Sequence, residues 1–263
     1  DGFYSGTVAQ LIVEEMKRGN GLITKEDLLR YESKYRAPVL GTYKGHDIIS
    51  MGPPSSGGAL LVNMLNMLEN YPMDTLGWNS SEYIHLLTEV ERRAYADRAE
   101  HMGDPDFWDV PISMLTSKDY AKSRIKNINL DVATLSSDIS ASKKVLYETD
   151  ETTHYSVVDR WGNAVSVTTT INLNYGNGCV VEGAGFFLNN EMDDFSSKPG
   201  VPNAFGLIGN EANAIEASKR PLSSMTPTIV LKGNKPFLII GSPGGSTIIT
   251  VSYTHLRAHE TLI

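Results

Sequence analysis

The chain has 263 residues, 41% hydrophobic and 21% charged, the balance of an ordinary globular protein large enough for a full core. A net charge of -8 and a pI near 5.3 exclude nucleic acid and anionic membrane surfaces as partners, since both select clustered Lys and Arg, and leave small molecules as the expected ligands. The single cysteine, Cys179, excludes an internal disulfide and reads as a small core hydrophobe. No stretch reaches the roughly 18 apolar residues of a spanning helix, and the first residues carry no leader pattern but read as the interior of a domain.

Val8, Leu11, Ile12 and Met16 recur at the spacing of one helical face, which predicts a helix from Phe3 to Arg18 that stops at Gly19. Thr24 ahead of Lys25, Glu26 and Asp27 is an N-cap signal for a second, short helix from Lys25 to Glu32. LGTYKGHDIISM reads as strand, Lys44-Gly45 turn and strand. PPSSGG at 53–58 then leads into the apolar-faced helix ALLVNMLNMLEN, and another helix is expected from Ser81 to His101. At 135–144 the sequence LSSDISASKK loses periodicity and becomes rich in Ser and Asp, as exposed linkers do. Beyond it HYSVVD and AVSVTTTI flank a turn at Arg160 to Asn163, and PTIVL and PFLIIG flank Lys232 to Lys235. Helices followed by strand hairpins predict a layered α/β or α+β fold with antiparallel pairs.

Glu151-Thr152 stands where the linker meets a strand. A hydroxyl there can attack the preceding carbonyl and shift the chain onto an ester that water cleaves, leaving Thr152 as a new N-terminus. Its freed α-amine, with a pKa near neutrality, then serves as the base for its own hydroxyl, and no Ser/His/Asp arrangement is needed. The competing reading is a threonine that merely begins a strand. In KRPLSSMTPTIV, Ser223 and Ser224 sit in a polar turn after Pro221. In IIGSPGGS, Gly244 and Gly245 follow an apolar strand, where backbone N–H groups can approach a ligand oxygen and stabilise an oxyanion. That loop lacks both the Walker lysine spacing and the GxGxxG order, which argues against nucleotide binding.

TTHYSVVD, LNNEMDDFSSKPGVPN, KRPLSSMTPTIV and GSPGG occur in this order, after PPSSGG and YADRAEHMGDPDF. Together these six motifs resemble the bacterial γ-glutamyltranspeptidases of the N-terminal nucleophile hydrolase superfamily, from about Phe3 to Thr250. The resemblance implies a four-layer α-β-β-α sandwich, incomplete here. Residues 1–151 would then be the C-terminal part of a large subunit ending in a processing linker at about 135–151. Residues 152–250 would be the N-terminal part of the small, catalytic subunit, the two pairing as a heterodimer. It also implies roles for individual residues. Thr152 is the autoprocessing and catalytic threonine, and Thr170 orients it. Asn172, Glu191 and Asp194 hold the α-amino and α-carboxylate ends of the substrate, Ser223 and Ser224 contact the carboxylate, and Gly244 and Gly245 form the oxyanion hole. The implied reaction cleaves the γ-glutamyl amide of glutathione and related compounds, releasing the acyl group to water or to an amino acid or peptide. No cofactor or metal is required, and the family places such enzymes in the periplasm or outside the cell. Neighbouring readings are a cephalosporin acylase-like amidase, a poly-γ-glutamate transpeptidase, and a noncatalytic, unprocessed fragment.

Several features depart from the family pattern. The family's carboxylate-binding arginine lies upstream of Asp1, so roughly the first half of the large subunit is expected to be absent, and 251–263 reads as a foreign tail. In that tail His255, His259 and Glu260 share a helix face, but the order H-x-x-x-H-E lacks the glutamate inside the pair that zinc enzymes use. Phe205 stands where lidded relatives often place tyrosine, so a weakened lid contact is expected. His154 is expected to point away from the Thr153 face of its strand, as a structural or processing residue rather than a base. His46, His85 and His101 show no partner in the sequence. Tyr43, Tyr71, Tyr95 and Trp161 read as packing, and Arg92, Arg93 and Arg98 as a solvated helix face.

Overall fold

The computed structural model describes residues 2–139, 152–198, 200–204 and 206–258, which separate into two bodies. The smaller comprises Asp1–Arg36 and Ile171–Glu191. Its first helix, α1 (Thr7–Gly19), begins later than the periodicity suggested. It ends at Asn20, whose φ of 53° turns the chain out of the helix, with Lys17 and Arg18 in the last turn favouring the helix dipole. Helix α2 (Lys25–Arg30) carries the expected cap: Thr24 and Asp27 bond each other's backbone N–H groups as a capping box. Cys179 is half-buried in this body rather than in a core. Its thiol donates to Glu15 at 3.5 Å, and burial together with that carboxylate pushes its pKa up, which makes it a poor nucleophile.

The larger body comprises Ala37–Thr170 and Met192–Ile263. Strands β1 (Val39–Tyr43), β2 (His46–Ser50), β5 (Thr228–Lys232) and β6 (Lys235–Ile240) form an antiparallel sheet in the order β1-β2-β5-β6. Alternation sends Val39, Tyr43, Ile48 and Val230 into the core while Leu40 stays exposed. They meet α3 (Gly57–Leu68), which is buried along its whole length, as an almost uniformly apolar helix must be. Around α3 pack α4 (Ser81–His101), α5 (Ile112–Leu115), α6 (Lys118–Arg124) and α7 (Ile248–Ala258). The buried Asn63 and Asn66 of α3 donate to the carbonyls of Leu115 and Thr116 at 2.7 and 2.8 Å, satisfying acceptors that the end of α5 would otherwise leave open.

The remaining strands, β3 (Thr153–Val158) and β4 (Ala164–Thr169), form a separate hairpin that lies against β5 and β6. Helix layer, sheet and hairpin are the parts of the expected α-β-β-α sandwich that the described residues contain. Residues 251–258 continue α7, and Tyr253 and Leu256 join Ile249 in the main core. Glu151, the linker from 140 onward, Phe205, His259 and Glu260 lie outside the described residues. Among the described residues no helix is long and apolar enough to cross a membrane, and no group of His, Cys, Asp or Glu is arranged to hold a metal.

Candidate active site

The β3–β4 register pairs Thr153 with Thr169 and His154 with Thr168. The pairing ends at Thr153 and Thr169, and the two threonines singled out in the sequence, Thr152 and Thr170, are the residues next to this last pair at the hairpin's open end. Cross-strand partners share a face of a sheet, so His154, Ser156, Ser166 and Thr168 line one face of the hairpin. That face looks toward β6: Ser156 and Ser166 donate to the carbonyls of Ile239 and Ile240 at 3.4 and 3.1 Å. At the end of β6 the His154 ring fills the place a side chain would need at Gly241, where a Cβ would come within 2.2 Å of the ring. The hairpin's threonine end thus adjoins the start of the GSPGG loop.

His154 points away from exposed Thr153, as its strand position predicted. Its Nδ1 bonds Thr168 Oγ1 at 2.8 Å and its Nε2 bonds Ser156 Oγ at 3.1 Å. Burial lowers its pKa, which favours the neutral ring, and both nitrogens are engaged, Nδ1 across to β4 and Nε2 within β3.

In the loop, Gly244 has φ 126° and Gly245 φ 49°, backbone angles that L side chains rarely adopt. Gly244 is buried and the chain passes directly from Gly245–Thr247 into α7, so the positive end of that helix dipole lies at the paired glycines. Helix α4 secures this loop from behind through a short hydrogen bond from the Tyr95 hydroxyl to the Ser246 carbonyl. Tyr95 is thus more than the packing residue expected.

One turn along α4, Arg98 holds the serine segment. Its Nε donates to Ser56 Oγ at 3.0 Å and its Nη2 to Ser224 Oγ at 3.2 Å. Ser56 donates onward to the Ser223 carbonyl, through its hydroxyl and its backbone N–H, both at 2.9 Å. The PPSSGG turn, the Ser223-Ser224 segment and α4 are therefore locked together. Ser223 Oγ accepts the Met225 N–H at 3.0 Å, so both serine oxygens are engaged as acceptors, while among the described residues neither hydroxyl proton has an acceptor.

The solvated face expected for Arg92, Arg93 and Arg98 is wrong. Arg93 and Arg98 are buried, at 1% and 4% exposure, and only Arg92 is partly exposed. The error has a physical cause: the partners of Arg93 and Arg98 are mostly remote in sequence, and charges that look solvated in a local window are paired across the fold. The apparently partnerless His46 and His85 bond the carbonyls of Lys44 and Asn129.

Asp194 is placed by a residue the sequence reading missed. The buried Asn213 donates from Nδ2 to the Asp194 carbonyl at 2.7 Å and accepts the Leu222 N–H at 3.0 Å on Oδ1. One amide side chain thus fixes Asp194 and the approach to Ser223; nothing in the polar stretch GNEANAIE distinguishes it beforehand. Asp104, fully buried, accepts the Arg220 N–H at 2.8 Å and ties the end of α4 to the same segment. Thr152, Thr170, Asp194, Ser223, Ser224, Gly244 and Gly245 all belong to the larger body, whereas Asn172 and Glu191 fall in the smaller one. There Asn172 is buried with φ 71° and donates to the Asn190 carbonyl at 3.1 Å.

The Gamma-glutamyltranspeptidase family matches residues 1–259, through most of the stretch after 250 that read as foreign. The chain belongs to the gamma-glutamyltranspeptidase family. Glutathione hydrolase proenzyme of Escherichia coli is 53% identical over 250 residues, which are 95% of this chain and 43% of that protein. Acylase ACY 1 proenzyme of a Pseudomonas species is 36% identical over 249 residues, 94% of this chain and 42% of that one. Among solved structures, cephalosporin acylase from Bacillus halodurans matches with a TM-score of 0.72 at 22% identity, over 91% of this chain and 40% of that one, a likeness of fold. The chain thus spans less than half the length of the curated relatives it matches.

Proposed function

We propose that this sequence supplies the nucleophile and much of the acyl-binding site of a γ-glutamyltransferase and glutathione hydrolase. The observation that supports the reading is the hairpin register, which ends at Thr153 and Thr169 next to Thr152 and Thr170, with His154 packed on Gly241 at the start of the GSPGG loop. In maturation, Thr152 Oγ attacks the Glu151 carbonyl carbon and the peptide nitrogen leaves as the Thr152 α-amine. Water then hydrolyses the resulting ester, giving the large-subunit carboxylate and a free N-terminal threonine. In turnover the α-amine takes the Oγ proton as Oγ attacks the γ-glutamyl amide, and passes it to the departing amine. Thr170 orients Oγ, and the N–H groups of Gly244 and Gly245 stabilise the oxyanion. Water or an amino acid or peptide amine releases the acyl group.

The head of a γ-glutamyl group is a zwitterion, and the assigned groups match it. Ser223 and Ser224 offer hydroxyl donors to the carboxylate, while Asp194 and Glu191, with the Asn172 carbonyl, suit the ammonium. The matured subunits pair as a heterodimer, in the periplasm or outside the cell. The relative named acylase supports a second reading, amide cleavage without the zwitterionic head.

Intact mass decides the first step. Two fragments meeting between Glu151 and Thr152, and a single uncut chain in Thr152→Ala, are the expected result. Fragments that persist in Thr152→Ala overturn the assignment of the nucleophile. In a protein of the relatives' full length, faster cleavage of γ-glutamyl than of simple acyl anilides is expected, and the reverse order favours the acylase reading.

A further inference from the structure

We infer that Arg98 is a positioning residue for substrate selection: it fixes Ser224 as a hydrogen-bond donor toward the donor's α-carboxylate and places a buried positive charge behind that subsite. The inference rests on the γ-glutamyl reading above and adds a residue from a helix that the sequence patterns gave no site role.

Hydrogen-bond polarity supplies the first step of the argument. A hydroxyl has one proton and two acceptor positions. Arg98 Nη2 can only donate, so its 3.2 Å bond makes Ser224 Oγ the acceptor and leaves the Ser224 proton for another partner. The Met225 N–H does the same to Ser223 Oγ at 3.0 Å. Two adjacent hydroxyl protons are thereby left to donate to other partners, one for each oxygen of a carboxylate. Only the Ser224 proton is set by a cation, and a hydroxyl that accepts from a guanidinium is a stronger donor in its turn.

Charge supplies the second step. Arg98 is 4% exposed, and burial holds its pKa below the ordinary value against the opposing pull of Tyr95 and the Asp194 carboxylate. Arg98, which bonds the serine assigned to the carboxylate, and Asp194, assigned to the ammonium, therefore carry opposite charges within one body. An anion at the serines gains from Arg98 what a neutral acyl chain does not. Third, the guanidinium spans two segments: Nε on Ser56 and Nη2 on Ser224. A lysine, a point donor on a flexible stem, cannot hold both in one plane.

The test compares two donors in a protein of the relatives' full length containing this sequence. γ-Glutamyl-4-nitroanilide carries the carboxylate, and 4-aminobutyryl-4-nitroanilide has the same amide and amine without it. In Arg98→Met, KM for the γ-glutamyl donor rises by about 10- to 100-fold, the worth of a charge-assisted hydrogen bond, with kcat nearly kept. The carboxylate-free donor loses far less, so the preference between donors collapses. Arg98→Lys and Ser56→Ala lower the preference less, and they decide the matter should Arg98→Met fail to fold. In combination with Ser224→Ala, the effect of Arg98→Lys is smaller than alone. Equal losses on both donors, or an unchanged preference, overturn the inference. A parent protein that shows no preference for the γ-glutamyl donor overturns the functional reading instead, and this inference with it.

Discussion

Glu89 and Arg93 form an ion pair at 2.6 Å with both side chains 1% exposed. Arg93 also bonds the Arg124 carbonyl, Asn127 and Thr134, and Glu89 accepts the Thr134 N–H, so the pair anchors the segment leading into the linker. Removing one member strands a buried charge, and Arg93→Met is expected to cost about 3–5 kcal/mol in urea unfolding. Burial raises the pKa of Glu89, but hydrogen bonds from Thr134 and Arg93 outweigh it and hold the group below its ordinary 4.5. A carboxylate depressed in the folded state contributes stability that is complete above the unfolded value and is lost as pH falls through the folded one. Between neutral pH and pH 3, Tm of the wild type should therefore fall more steeply than that of Glu89→Gln. Of this cluster only the i,i+4 spacing of Glu89 and Arg93 was visible in the sequence; the other partners of Arg93 lie beyond any local window.

At the level of elements, legibility followed period and length. The α3 and α4 patterns and the Thr24 cap were readable because each rests on neighbours in sequence, as were the hairpins, where strands of alternating or apolar residues flank turn signals. Helices α5 and α6, with 4 and 7 residues, offer too few turns for a period to register, and it is packing against α3 that forms them. Thr24 provides a clean test of local coding. Helix α2 buries none of its residues, so its cap supports little beyond itself. Thr24→Ala should speed amide hydrogen exchange at Asp27 and Leu28, at a local cost of about 1 kcal/mol, and leave the global Tm in place.

Across the whole molecule, the core of the larger body joins residues far apart in the chain, from Val39 to Leu256. Helix α7 closes it: Ile249, Tyr253 and Leu256 are all buried there. Residues 251–263 read as a foreign tail because they depart from the family motifs, and a motif records resemblance and not burial. Tyr253→Ala should cost about 3–5 kcal/mol, as large-to-small changes at buried aromatic positions do. A chain ended at residue 250 should show a comparable loss in Tm, and an unchanged Tm would mark the segment as an appendage. The candidate site was legible in a parallel way. Its threonines, serines and glycines were named from motifs, whereas Arg98, Tyr95, Asp104 and Asn213, which bond the serine segment, the glycine loop and Asp194, reach them only through the tertiary fold.

At the closed end of the hairpin, the Asp159 carboxylate accepts the N–H groups of Trp161 and Asn163, each at 2.9 Å, and the Asn163 side-chain amide at 2.7 Å. Thr152 lies seven residues away, about 23 Å along an extended strand. Strand pairing nevertheless has a reading frame, and this turn sets it. A single residue inserted between 159 and 163, if passed into β4, would shift every partner by one and exchange the faces of β4 relative to β3. Variation in length at this exposed turn is therefore constrained by pairing at the far end, and only insertions absorbed as a bulge or a longer loop would keep Thr153 opposite Thr169.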